Sequence, residues 1–103
     1  MDIEQVRNDI ATGRFEFSRH AFHRAVERNI SAEEIIQAGM KAEVIEEYPN
    51  DKYLSSFLLL GFTRKQRPLH MQICYTDTNM IKIITLYEPD LRQWTEYRKR
   101  RLL

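Results

Sequence analysis

His20, Arg24 and Arg28 recur at intervals of four, and near ~100° per residue they form one polar stripe on a helix. An imidazole beside two guanidiniums suits a phosphodiester, because histidine carries protons near neutral pH while arginine clamps anionic oxygens. The competing reading is a solvated face, with Arg24 and Arg28 paired to glutamates in weak surface ion pairs. A second group lies later, where His70 and Gln72 alternate with Leu69, Met71 and Ile73, and where Thr85 and Tyr87 sit in another β-rich run. If these runs form a hairpin turning at Thr78-Asn79, His70 opposes Tyr87, Gln72 opposes Thr85 and Cys74 opposes Ile83. The other face then joins Met71 and Ile73 to Leu86 and Ile84. A one-residue slip would mix polar and apolar faces. The loop Thr63-Arg64-Lys65-Gln66-Arg67-Pro68 adds three cations next to His70.

Together these are the parts of a metal-independent ribonuclease. In that reaction the ribose 2′-hydroxyl attacks the adjacent phosphorus, which requires a base, an acid for the leaving 5′-oxygen and cations for the developing charge. Taken singly, His70 also reads as a hydrogen-bonded strand residue, Thr85 and Tyr87 as ordinary β formers, and Cys74 as a small apolar group. A metal site is not expected. His20 and His23 are three apart, but no Cys-rich or carboxylate-rich motif accompanies them, and His23 lies ~300° around the helix from His20. No cofactor is expected either.

The elements that would position these residues follow from the patterning. Ile3, Val6 and Ile10 predict a first helix over Asp2 to Thr12, stopped by Gly13. Phe15-Glu16-Phe17 reads as an extended link to an N-cap at Ser18, and a second helix runs to Ile30 with Phe22, Ala25 and Val26 on its packing side. Ser31 and Glu34 form a capping box for a third helix, Ala32 to Met40. From Glu43 the period changes. Strands are predicted over Glu43 to Tyr48 at an edge, ended by Pro49-Asn50-Asp51, then Leu54 to Phe62, Leu69 to Thr76 and Met80 to Tyr87. Residues 90–103 predict a basic C-terminal helix with Leu91, Trp94 and Tyr97 on one side. The fold class is α+β: one domain spanning 1–103, helical over 1–42, with a roughly four-stranded antiparallel sheet over 43–89.

With 103 residues there is room for one core, and the balance of 30% charged and 43% hydrophobic residues fits a globular protein. No apolar run approaches the ~20 residues that cross a membrane and the N-terminus lacks a signal-peptide pattern, so no membrane partner and a cytoplasmic location are expected. Cys74 is the single cysteine, which excludes an internal disulfide. Residues 1–51 hold six Lys or Arg against eleven Asp or Glu, a net charge of −5, whereas residues 52–103 hold ten against four, a net +6. The basic half, ending in Arg98-Lys99-Arg100-Arg101, suits phosphates or an acidic protein.

Three pieces in order carry a resemblance: His20-Ala21 with Arg24, Arg28 and Ile30-Ser31; Gly61, the basic loop and Leu69-His70; and Ile83-Ile84-Thr85-Leu86-Tyr87-Glu88-Pro89. This pattern, "HA…R…R.I", "LH" and "IIT.Y.P" over Phe17 to Pro89, resembles a family of small bacterial domains of unknown function. That family is similar to the RelE/ParE-like and MqsR-like toxins of toxin–antitoxin pairs, within the barnase, EndoU, colicin and RelE nuclease group. The resemblance implies a RelE/barnase-like fold and metal-free cleavage of mRNA, with or without the ribosome. It also implies an antitoxin partner, often of a zinc-finger plus helix-turn-helix kind. Carried over by position, the matching residues are His20, Arg24, Arg28, His70, Thr85 and Tyr87. The residue reading gives His20 or His70 as acid or base, Arg24, Arg28, Arg64, Lys65 and Arg67 as phosphate clamps, and Tyr87 as an orienting group. A noncatalytic RNA- or protein-binding module on the same fold is the second expectation, and ParE-like inhibition of another target a third.

Overall fold

The computed structural model describes residues 2–50 and 54–102. Asp51 of the predicted turn and Leu103 of the predicted tail helix lie outside the described residues. Three helices come first: α1 (Ile3–Ala11), α2 (Arg19–Glu27) and α3 (Ala32–Gly39), with β1 (Phe15–Phe17) between α1 and α2. Then follow β2 (Glu43–Tyr48), β3 (Ser56–Phe62), β4 (Pro68–Tyr75) and β5 (Ile81–Tyr87), and last a small pair, β6 (Trp94–Thr95) and β7 (Lys99–Arg100). Among the described residues no helix is long and apolar enough to cross a membrane.

The helix starts obey local chemistry. Asp2 accepts the Glu4 N–H, Ser18 accepts that of Ala21, and Ser31 with Glu34 completes the capping box. The stops follow backbone handedness. Gly13 ends α1 at φ 77°, and Asn29 at φ 54° ends α2 earlier than the predicted Ile30.

The sheet order is β1-β5-β4-β3-β2. It corrects the expected four-stranded antiparallel sheet: Phe15–Phe17, read as a link, is a fifth strand lying parallel to β5, with Phe15 beside Ile81 and Phe17 beside Ile83. Three residues carry too little pattern to declare a strand, and the pairing depends on β5, which lies far along the chain. Ser18 continues this contact. Its N–H donates to the Ile83 carbonyl at 3.0 Å and its hydroxyl to that of Ile84 at 2.9 Å.

The expected register holds at one end of the β4–β5 hairpin and shifts at the other. His70 pairs with Tyr87 and Gln72 with Thr85, but Ile73 pairs with Ile83 and Cys74 with Lys82. Ile84 is the extra residue of a bulge, so Ile83 enters the core where Ile84 was expected. The turn accounts for the shift. Thr76 and Met80 flank a three-residue loop whose last member, Asn79, sits at φ 60°, instead of a two-residue turn at Thr78-Asn79.

All three helices cover one sheet face. Val6 and Ile10 of α1, Ala21 and Ala25 of α2, and Ile35 and Ala38 of α3 pack with Leu59, Leu69, Met71, Ile73, Ile81, Ile83 and Leu86. The packing side of α2 is therefore Ala21 and Ala25, small enough for close approach to the sheet. Phe22 and Val26, expected to pack, are 56% and 67% exposed. Two glycines permit similarly close contact elsewhere: a Cβ on Gly61 would stand 2.0 Å from the Ala38 carbonyl oxygen, and one on Gly39 2.2 Å from the Ile10 side chain.

Residues 90–102 correct the predicted C-terminal helix. They form a turn and the β6–β7 pair, with Trp94 opposite Arg100, crossing the sheet face away from the helices. Glu96 and Tyr97 have φ of 52° and 64°, which no helix tolerates. Burying Trp94 to 2% exposure against the sheet outweighs the helical spacing of this segment.

Candidate functional site

Strand alternation puts His70, Gln72, Thr85 and Tyr87 on the face opposite the helical core, as the pairings of β4 and β5 require. His70 is fully buried there. Its Nε2 lies 2.6 Å from the Tyr97 carbonyl oxygen and its Nδ1 3.1 Å from the Tyr87 hydroxyl. A carbonyl only accepts, so Nε2 carries the proton and Nδ1 accepts from Tyr87. The imidazole also meets the Trp94 ring edge-on, with centroids 4.5 Å apart. Burial pushes the His70 pKa below its ordinary value, although the Tyr97 carbonyl and Glu46 oppose the shift. Burial likewise raises that of Tyr87, which keeps its phenol protonated at neutral pH.

Arg28 arrives at the same end of the sheet from the other layer. It is the C-cap of α2, and its Nη1 donates to the Leu86 carbonyl at 2.7 Å, beside Tyr87. Arg67, at the head of β4, closes the junction of α2 and α3. It donates to the Arg28 and Asn29 carbonyls at 2.8 and 3.0 Å, to Glu34 at 3.1 Å and to Glu88 at 2.8 Å. These bonds satisfy the open carbonyls of a helix end with a cation, as the helix dipole favours. For Glu34, burial alone would raise the carboxyl pKa, but Ser31 and Arg67 together bring it below the ordinary value. The Glu88 and Glu34 bonds raise that of Arg67. Arg28, Arg67, Tyr87 and Glu88 line one cleft of about 430 Å³.

The remaining expected residues lie elsewhere. His20 is exposed in the first turn of α2, eight residues before Arg28 and so ~12 Å away along the helix. It belongs to the helical layer, whereas His70 faces away from that layer, so the two histidines do not share a site. Arg24 pairs with Glu27 at 2.9 Å on its own helix. Thr85 is half-buried beside Gln72 on the His70 face, and Gln72 donates to Ser56 at 3.0 Å.

The basic loop divides. Arg67 turns toward Glu34 and Glu88, while Arg64 joins Lys41, Met40 and Phe62 around a separate cleft of about 420 Å³, and Lys65 is exposed. Among the described residues no group of three or more His, Cys, Asp or Glu is placed to hold a metal ion.

Sequence reasoning missed Glu88 and Glu34 as partners of Arg67, and Trp94 and Tyr97 as the cover of His70. Glu88 stands beside Tyr87 in the quoted motif and could have been weighed as a base. The cover has no comparable signal, because left-handed turns normally announce themselves with Gly or Asn.

Comparison with known proteins agrees with the extent of the quoted motifs. No curated protein and no solved structure matches the chain. The profile of one domain family, described as a domain of unknown function, DUF4258, matches residues 17–88. That span takes in α2, α3 and the strands β2 to β5, with Arg28, Arg67, His70 and Tyr87, and covers more than half of the sequence: the chain belongs to the DUF4258 family.

Proposed function

We propose that this chain is a metal-independent endoribonuclease of the RelE-like toxin kind, which cleaves mRNA in the cytoplasm and is restrained by a cognate antitoxin. The observation that carries the reading is the convergence of two guanidiniums, a phenol and a carboxylate in the cleft of Arg28, Arg67, Tyr87 and Glu88. In this reading Arg28 and Arg67 hold the phosphate and meet the charge that builds on it. Glu88, held in place by Arg67 at 2.8 Å, takes the proton of the ribose 2′-hydroxyl. The 2′-oxygen bonds to phosphorus, the bond from phosphorus to the 5′-oxygen breaks, and the Tyr87 hydroxyl, turning its proton from His70 Nδ1 to that oxygen, protonates it, leaving a 2′,3′-cyclic phosphate. Solvent then carries the proton from Glu88 back to Tyr87. His70, behind Tyr87, acts as a positioning residue. Arg24 and His20, along α2, and Arg64 and Lys65, at the loop, serve the flanking nucleotides, while Thr85 lines the face beside Tyr87.

The test is cleavage of a defined mRNA in EDTA, with and without ribosomes. The expected result is products ending in 2′,3′-cyclic phosphate, lost in Glu88→Gln and reduced in His70→Ala, with His20→Ala retaining cleavage. Absence of cleavage by folded protein under both conditions overturns the reading.

A noncatalytic binding module on the same fold is the second reading. It is favoured by two features: His70 is sealed, and Arg67 is already neutralised by two carboxylates.

A further inference from the structure

Residues 90–102 are attached to the five-stranded sheet differently from its own strands. Among the described residues the strands β6 and β7 pair only with each other, and no backbone ladder joins them to the five-stranded sheet. Their fastenings are side-chain contacts: Arg98 to Glu43 at 2.7 Å, Arg100 to Glu46 at 2.9 Å, Tyr97 against Phe62, and Trp94 with the Tyr97 carbonyl over His70. Arg98 and Arg100 are 46% and 61% exposed while their partners Glu43 and Glu46 are 42% and 23% exposed, so both pairs open to solvent on the arginine side, where a competing anion can reach them. The turn is also strained. Glu96 and Tyr97 are consecutive non-glycine residues in the left-handed region, a conformation that persists only while the surroundings enforce it. Five of the thirteen residues are cationic, two are anionic, and one is the single tryptophan.

Beneath the segment lies His70, and its neighbours Gln72, Thr85 and Tyr87, half-buried, continue the same face. Tyr87 is also a wall of the Arg28–Arg67 cleft, so this covered face continues the cleft.

We propose that residues 90–102 are a displaceable strap over an RNA-binding face made by His70, Gln72, Thr85 and Tyr87, and that the phosphate backbone of single-stranded RNA lifts it by drawing Arg98 and Arg100 away from Glu43 and Glu46. The ribonuclease reading supplies the ligand class. A polyanion satisfies both arginines at once and the turn relaxes. Trp94, released from His70, then offers a ring on which a base stacks. The closed strap thus shields the polar face until RNA arrives, and the same cations that hold it shut bind the RNA once it opens.

The test uses the full chain and a 2′-O-methylated oligouridylate of about twelve nucleotides, which binds without being cut. Binding is read by anisotropy of the labelled RNA. Opening is read by diethyl pyrocarbonate modification of His70, mapped by mass spectrometry with exposed His23 as the internal reference. Saturating RNA is expected to raise the His70 rate about tenfold and to red-shift Trp94 emission. Glu43→Gln/Glu46→Gln, which frees the arginines without removing them, is expected to bind RNA several-fold more tightly and to open at lower RNA concentration. Glu96→Asn, better suited to a left-handed turn, is expected to open later.

RNA binding with His70 still protected overturns the strap and leaves the ribonuclease reading standing on the outer cleft. Opening without cleavage of unmodified RNA, with and without ribosomes, supports the strap and overturns the ribonuclease reading. Failure of both wild type and the double variant to bind RNA overturns the strap, and the cleavage assay with ribosomes then decides the ribonuclease reading.

Discussion

The Nε2 of His70 and the carbonyl oxygen of Tyr97 stand 2.6 Å apart, 27 residues distant in sequence, and this one bond fixes both the tautomer of the imidazole and the seat of the C-terminal segment. Because Nε2 donates there, Nδ1 is left to accept the Tyr87 hydroxyl, so β4, β5 and the strap meet at a single ring.

That ring makes stability depend on pH. Burial lowers the folded-state pKa of His70 below the ordinary 6.5, so between the two values the unfolded chain binds a proton that the folded chain resists. The neutral ring's contribution is complete above about pH 6.5 and is lost as pH falls toward the folded value. Glu46 opposes this shift and Arg100 adds to it. Urea unfolding at about pH 7.5 and 5.5 should show the wild type losing more stability than His70→Gln. Equal losses would place the titration elsewhere.

Ser18 makes two bonds of opposite sense, accepting from the Ala21 N–H at 3.0 Å and donating to the Ile84 carbonyl at 2.9 Å. Ser18→Ala should lower stability by about 1–2 kcal/mol. Ser18→Asp keeps the cap but cannot donate to Ile84, so it should recover little of that loss. Full recovery would reduce Ser18 to a helix cap alone.

Gly61 is set by clearance. A methyl group there would meet the backbone of Ala38, which cannot yield without moving α3, so Gly61→Ala should cost about 3 kcal/mol or more in chemical denaturation. Gly13→Ala also carries a cost, from φ 77°, but has open space around it and should be milder.

Arg28 is expected to act through its position. Arg28→Lys keeps the charge but loses the planar fork that reaches the Leu86 carbonyl. On the ribonuclease reading, cleavage should fall about 100-fold while the melting temperature shifts little. An unchanged rate would remove Arg28 from the phosphate-binding set.

Much of the frame was legible because local rules governed it. The spacing of Ile3, Val6 and Ile10 and the caps Ser18 and Ser31 announce three helices, and β propensity, the apolar run 57–60 and the alternation of the last two strands place β2 to β5 within one or two residues. The pairing of His70 with Tyr87 followed from keeping apolar residues together. The bulge at Ile84 was not legible, because a three-residue turn and a two-residue turn fit the same stretch of polar residues.

By itself, then, the sequence determined the order and type of the main elements, the α+β class and which strand residues share the polar face, since each depends on neighbours a few positions away. Only the tertiary structure decided that Phe15–Phe17 is a parallel strand, that Arg67 turns inward while Arg64 does not, that His20 and His70 lie on opposite sides of the sheet, and that residues 90–102 cross the sheet instead of forming a helix. Each of those outcomes depends on groups distant along the chain: the edge of β5, the carboxylates of Glu34 and Glu88, and a buried imidazole that gives Trp94 and Tyr97 a better place than a solvated helix would.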